Sequence, residues 1–213
     1  MLLLYSKRLM ETFYIKDLNR ANLEKIKKIL KNGGVIGFPT ETVYGLGALF
    51  SEEKAVKKIL KLKKRDYQKA FTLHLGSLKQ IEEVADLQGE TRKRFYRLAE
   101  KFIPGPLTVI LPAKIKTDLG TVGVRIPNHP LFLRLARFLK EPLIGTSANL
   151  AEEKPSILAQ EVFEKFKGQI DLVIDGKKCL LKKASTVLSL VDEKKPKILR
   201  EGFLKKAEIE KVL

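Results

Sequence analysis

Residues 39–47, Pro39-Thr40-Glu41-Thr42-Val43-Tyr44-Gly45-Leu46-Gly47, place two hydroxyls, a carboxylate, a phenol and two glycines directly after the apolar run Val35-Ile36-Gly37-Phe38. The apolar run reads as a short buried strand that Pro39 cannot extend. Hydrogen-bonding groups gathered beyond the C-terminal end of such a strand form ligand loops in open α/β sheets. The alternative is a polar connection whose glycines serve a turn. A second group, Lys63-Lys64-Arg65 with Lys69, offers a point charge and a bidentate fork to a polyphosphate, or else decorates a helix C-terminus. Arg125, between Val124 and Ile126, shares a strand face with Gly123 and Pro127. It suits either a carboxylate-bearing small molecule or an internal salt bridge. Thr146-Ser147-Ala148-Asn149 can bind phosphate or base edges, or cap a turn. Ser156, the Ser185-Thr186 pair and Arg200 complete the set.

The chemistry is bounded by missing patterns as much as by these groups. No GxxxxGKS/T run occurs, Gly45-Leu46-Gly47-Ala48 does not complete GxGxxG, and there is no GxSxG elbow. Cys179, His74 and His129 are the only cysteine and histidines, so no usual zinc spacing can be assembled and an intramolecular disulfide is excluded. What remains is a set of small polar loops, each following a strand.

The elements that must position these groups follow from periodicity. A strand is expected over 12–15, and a helix capped by Asn19 or Asn22 runs to Lys31 and stops at Gly33-Gly34. Ser51 is expected to cap the next helix, with Ala55, Val56, Ile59 and Leu60 as its apolar stripe. Strands follow at 71–75, 107–111, 122–126, 143–144, 172–174, 187–191 and 197–199. Helices are expected after Ser77, over 90–102, 131–139 and 158–166, and from about Lys205. The elements alternate, with several strands adjacent in sequence, which gives an α/β (α+β-like) fold: a twisted open mixed β-sheet flanked by helices. No linker parts the chain, so one domain over 12–213 is expected behind an N-terminal extension of residues 1–11, with Met10 a candidate biological start.

At 213 residues the chain can bury a proper core, and its composition is that of a globular protein. The net charge of +17 stands out and points to polyanionic partners, or to a thermophile-type Lys/Glu-rich surface. Residues 1–5 are too short a run for a signal peptide and no run is long enough to span a bilayer, so the expected location is the cytoplasm and no membrane partner is expected.

Read together, PTETVYGLG at 39–47, the KxR element at 63–65, PGPLT at 104–108, VRIP at 124–127, TSAN at 146–149, STV at 185–187 and ILREG at 198–202 resemble the YrdC/Sua5 family, in the family's order. These are threonylcarbamoyl-AMP synthases of tRNA t6A synthesis, and the chain resembles their short, single-domain form. The resemblance implies that L-threonine, bicarbonate and ATP yield L-threonylcarbamoyladenylate and pyrophosphate, with Mg2+ entering through the phosphates. It implies that Thr40, Thr42, Tyr44, His74, Arg125, Thr146, Ser185 and Thr186 surround threonine or its carbamate. Lys63, Arg65, Lys69, Thr121, Ser147, Asn149, Ser156 and Arg200 would hold ATP, with Lys63 and Arg65 as the catalytic donors. No protein metal ligands are implied; tRNA or double-stranded RNA and other t6A-synthesis enzymes are further expected partners. The alternative is a non-catalytic double-stranded RNA or tRNA-binding module. The related domain of hydrogenase-maturation carbamoyltransferases is a third reading, set back by the missing acylphosphatase and cysteine-rich zinc regions.

Overall fold

A computed structural model describes residues 12–63, 72–150 and 153–213. The expected extension at 1–11, and Arg65 and Lys69, lie outside the described residues. In chain order the elements are β1 (Phe13–Ile15), α1 (Arg20–Lys31), β2 (Ile36–Phe38), β3 (Gly45–Leu49), α2 (Glu53–Lys63), β4 (Thr72–His74), α3 (Leu78–Val84) and α4 (Gly89–Phe102). There follow β5 (Leu107–Pro112), β6 (Thr121–Arg125), α5 (Pro130–Leu139), β7 (Leu143–Ser147), α6 (Ala159–Phe166), β8 (Leu172–Ile174), β9 (Thr186–Ser189), β10 (Lys197–Arg200) and α7 (Lys206–Glu210). All the described strands join one sheet, ordered β1-β8-β2-β3-β7-β4-β6-β5-β9-β10. Four pairings are parallel, β1–β8, β2–β8, β4–β6 and β5–β9, and the others antiparallel, so the sheet is mixed as expected.

Two apolar layers cover the sheet. Alternate residues separate them: Val173, Leu46, Leu73, Val124, Val109 and Leu188 join a core with α2, α3, α4, α6 and α7. Leu172, Ile174, Ile36, Phe38 and Leu143 join a second core with α1 and α5. This second core ends at β7. On the same face of β4, β6, β5 and β9, the residues next to Leu73, Val124, Val109 and Leu188 are His74, Arg125, Thr108 and Val187. That face is the floor of the candidate site. No described helix is long and apolar enough to cross a membrane.

Local signals account for most boundaries. Asn19 caps α1, its side chain accepting the Asn22 N–H at 2.9 Å. Ser77 caps α3 by accepting the Gln80 N–H, but Gln80 returns its carboxamide oxygen to the Gly76 N–H rather than to Ser77, which leaves the capping box half-made. Two expectations and one alternative reading are corrected. Ser51 does not cap α2: Glu52 precedes the helix and its carbonyl accepts the Ala55 and Val56 N–H groups, while the Ser51 hydroxyl donates to Glu141 Oε2 at 3.2 Å. The glycines of PTETVYGLG do not make a turn: Gly45–Leu49 is the fully buried strand β3. They are glycines because the Phe38 ring lies against them, and a Cβ on Gly45 or Gly47 would meet ring atoms at 2.5 and 2.7 Å. The strand expected over 143–144 runs on to Ser147, pairing Gly45 with Ser147.

Candidate functional site

A hollow of about 230 Å3 opens on the polar floor. Thr40, Tyr44, Lys63, His74, Arg125, Thr146, Ser147, Ser185 and Arg200 line it, so nine residues singled out from sequence converge on one place. Thr72, Thr108, Ile59, Leu60 and Gly145 also contribute, and none of these was foreseen. Thr108 was legible in principle, because it alternates with the apolar Leu107 and Val109 on a buried strand.

Arg125, at the end of β6, is 5% exposed. Its Nη2 donates to Glu41 Oε1 at 2.9 Å and Thr42 Oγ1 at 2.7 Å, and its Nε to the Gly105 carbonyl at 3.3 Å. The internal salt bridge is present: one edge of the guanidinium is spent on Glu41 and Thr42, and the residue also lines the hollow. Thr42 itself does not line it and stands one bond behind. Thr40 Oγ1 accepts the N–H groups of Thr42 and Val43, donates to the Val43 carbonyl, and contacts Thr42 Oγ1 at 2.8 Å, which holds the loop's shape. The Tyr44 hydroxyl donates to the Lys177 carbonyl and accepts the Gly176 N–H; burial pushes its pKa up, so it remains a neutral wall.

Lys63, the last residue of α2, reaches the other end of the hollow. Its Nζ donates to the carbonyls of Ser147 and Asn149 and to Asn149 Oδ1 at 2.8 Å. The Asn149 carboxamide is fully used: Oδ1 also accepts from Ser147 Oγ, and Nδ2 donates to the Leu150 and Glu153 carbonyls. TSAN thus acts here as a clasp for the lysine, and Asn149 stands behind Lys63 as Thr42 stands behind Arg125. Ser185 Oγ pairs with Thr108 Oγ1 at 2.8 Å, and Arg200 donates to the Ser185 carbonyl and hydroxyl.

Three further candidates lie elsewhere. Thr186 follows Ser185 on β9 and faces the other way: its hydroxyl donates to the Leu204 carbonyl and accepts the Gly202 N–H. Strand alternation puts the Thr186 side chain on the face opposite Val187, which lines the hollow. Thr121 lines a second, mainly apolar hollow of about 250 Å3 with Phe50, Val56, Leu73, Ile115 and Ile144, backing the β4–β7 part of the floor. Ser156 is buried beside the hollow's Pro155; its backbone pairs with Tyr44 and Ala148, and its hydroxyl has no partner among the described residues.

No group of three or more His, Cys, Asp or Glu side chains able to hold a metal occurs among the described residues, and no described lining residue is acidic. Both oxygens of the adjacent Glu41 are engaged. The described residues do not form a cage for a divalent ion. Burial also pushes the Cys179 thiol up to about 11, so it is no nucleophile at neutral pH.

His74 packs edge-on against Phe38 and Phe132, at ring separations of 5.2 and 6.0 Å. Burial, reinforced by Arg125, lowers its pKa to about 3, so the ring is neutral. Since the unfolded chain takes up the proton near pH 6.5 and the folded chain does not, stability is full above that pH and is lost below it. The loss from His74 is expected to reach about 2 kcal/mol by pH 5. His129 is shifted in the same direction by burial. The His74 part is therefore read as the difference in urea midpoints between wild type and His74→Gln across pH 7.5 to 5; parallel curves would refute it.

The fold and this polar floor place the chain among known proteins. It matches the Sua5_yciO_yrdC family, described as telomere recombination, over residues 28–202 and belongs to that family. It is 38% identical over 190 residues to the threonylcarbamoyl-AMP synthase of Pyrococcus abyssi, covering 86% of this chain and 55% of that protein. The threonylcarbamoyl-AMP synthase of Bacillus subtilis is 36% identical over 202 residues, covering 92% of this chain and 57% of that protein. The chain thus spans somewhat over half the length of these curated relatives. Among solved structures, Pyrococcus abyssi Sua5 complexed with L-threonine aligns with a TM-score of 0.85 at 33% identity, over 95% of this chain and 60% of that one. Escherichia coli YciO aligns with a TM-score of 0.78 at 25% identity, over 91% and 96%.

Proposed function

We propose that this chain forms L-threonylcarbamoyladenylate and pyrophosphate from L-threonine, bicarbonate and ATP, for t6A modification of tRNA, with residues 12–213 working as one YrdC-like domain. The carrying observation is that an arginine already clamped at one edge and a lysine from a separate helix line the same small hollow, between walls bearing hydroxyls. The relatives' names and the threonine-bound neighbour supply the substrate class.

In this reading threonine sits at the Arg125 end, its carboxylate on the guanidinium, near Thr40, His74, Thr146 and Ser185, with Tyr44 as wall. Its amine condenses with bicarbonate with loss of water, or adds to CO2 formed from it and gives up a proton to solvent. The resulting carbamate oxygen attacks the α-phosphate of ATP, breaking the bond to the leaving pyrophosphate. The triphosphate lies towards Lys63, Ser147 and Arg200, with Arg65 and Lys69 adding charge. A hollow of about 230 Å3 is smaller than the roughly 300–1,000 Å3 that encloses a drug-sized ligand, so the adenosine lies at its mouth. Holding two anions in line can supply roughly 7–11 kcal/mol of the barrier, and donors aimed at developing charge supply more. Magnesium would arrive on the phosphates; no step here depends on a protein metal ligand.

The purified protein, given ATP, bicarbonate and magnesium, is expected to release pyrophosphate only when L-threonine is added. Pyrophosphate release independent of threonine, or none under any condition, would refute the assignment. The +17 charge also suits tRNA as a later partner of the product.

A further inference from the structure

Glu41 adjoins the hollow without lining it, and the reaction proposed above makes no use of it. It is 5% exposed, as is Arg125. Oε1 accepts from Arg125 Nη2 at 2.9 Å, Oε2 accepts the Asn128 N–H at 3.0 Å, and the Glu41 carbonyl accepts the Leu181 N–H at 2.8 Å. One residue therefore ties the β2–β3 loop to the end of β6, to the approach to α5 and to the segment preceding β9.

On the arginine, Glu41 and Thr42 share Nη2 while Gly105 takes Nε. These bonds spend one edge of the guanidinium. Nη1 makes no hydrogen bond to any described residue, and Arg125 lines the hollow. A guanidinium held along one edge presents the remaining donors in a single orientation, which spares a ligand the cost of ordering a long side chain. Thr42 alone could not do this, because a hydroxyl carries no charge to hold the cation in a buried place.

The geometry points to Glu41 as the positioning residue that aims Arg125 at the carboxylate of the amino-acid substrate. This inference rests on the reaction proposed above and deepens its threonine end. It predicts an effect confined to one substrate. Glu41→Gln keeps the shape and an acceptor for Nη2 but removes the charge; Glu41→Ala removes both.

Pyrophosphate release is measured with threonine and ATP varied separately, beside thermal melts of each variant. The KM for threonine is expected to rise about tenfold in Glu41→Gln and about a hundredfold or more in Glu41→Ala. The KM for ATP, and kcat at saturating threonine, stay within about threefold in Glu41→Gln. A merely structural carboxylate would lower kcat in step with the folded fraction and leave both KM values alone, which overturns the inference. An unchanged threonine KM in Glu41→Gln, with an active wild type, overturns it and spares the proposed reaction. A wild type without threonine-dependent turnover overturns both. Should Glu41→Ala fail to fold, Glu41→Gln decides alone.

Discussion

Arg125→Lys is expected to lower kcat/KM for threonine by about 30-fold or more, the loss that follows truncation of a buried charged contact worth ~2–5 kcal/mol. A lysine keeps the charge but has one point of attachment. It cannot satisfy Glu41, Thr42 and Gly105 along one edge and still offer a second nitrogen to the hollow. Arg125→Ala is expected to be worse in two ways. Threonine use is lost, and Glu41 becomes a buried charge without its partner, which costs about 3–5 kcal/mol of folding stability. Turnover with threonine, ATP dependence and a denaturant midpoint separate these effects. A full-speed Arg125→Lys enzyme would mean that the arginine belongs to the scaffold only. An RNA-binding module would lose little affinity for RNA in either variant, so the same proteins also test that alternative.

Lys63→Ala is expected to lower kcat by roughly 10²–10³-fold, as for removal of one donor from an oxyanion-type site, and to raise the KM for ATP while sparing threonine binding. The geometry adds a condition. Nζ is held by two carbonyls and a carboxamide oxygen, so a phosphate must win the ammonium from three neutral acceptors. An anion can do so, because a phosphate adds charge–charge attraction to the ammonium that a neutral carbonyl lacks. Asn149→Ala removes one acceptor and the partner of the Ser147 hydroxyl, and is expected to cost less than Lys63→Ala. Single-turnover pyrophosphate release over a range of ATP concentrations checks the pair; a Lys63→Ala enzyme with normal turnover would remove the lysine from the reaction.

Part of this site was legible where polar side chains interrupt buried strands, and Arg125 between Val124 and Ile126 is the plainest case. The role of His74 came only through the family resemblance. Less legible was anything decided by a neighbour distant in sequence. The alternative reading of Gly45 and Gly47 as turn formers arises because nothing local says that Phe38 folds back over them. Ser51 carries every local sign of a helix cap, but Glu141, 90 residues away, takes its hydroxyl. TSAN reads as three ligand-binding residues, Thr146, Ser147 and Asn149; the last two serve as the clasp of a lysine on another element. Thr186 was separable from Ser185 by strand alternation alone, had β9 been expected to start one residue earlier. Glu41 stands in the most informative motif of the chain, and its partner Arg125 was recognised too, but the pairing of β-strand ends that joins them has no local signature.

The order of the strands bears on how the chain is made. β8 lies between β1 and β2, hydrogen-bonded to both, and β9 completes the flank of β5. During synthesis, β2 waits for Leu172 to leave the ribosome, roughly 7–27 seconds at about 5–20 residues per second. Through that interval the nascent chain carries an unpaired apolar strand edge, the kind of surface that invites wrong partners. Its final third therefore sets the moment at which its first third stops being vulnerable.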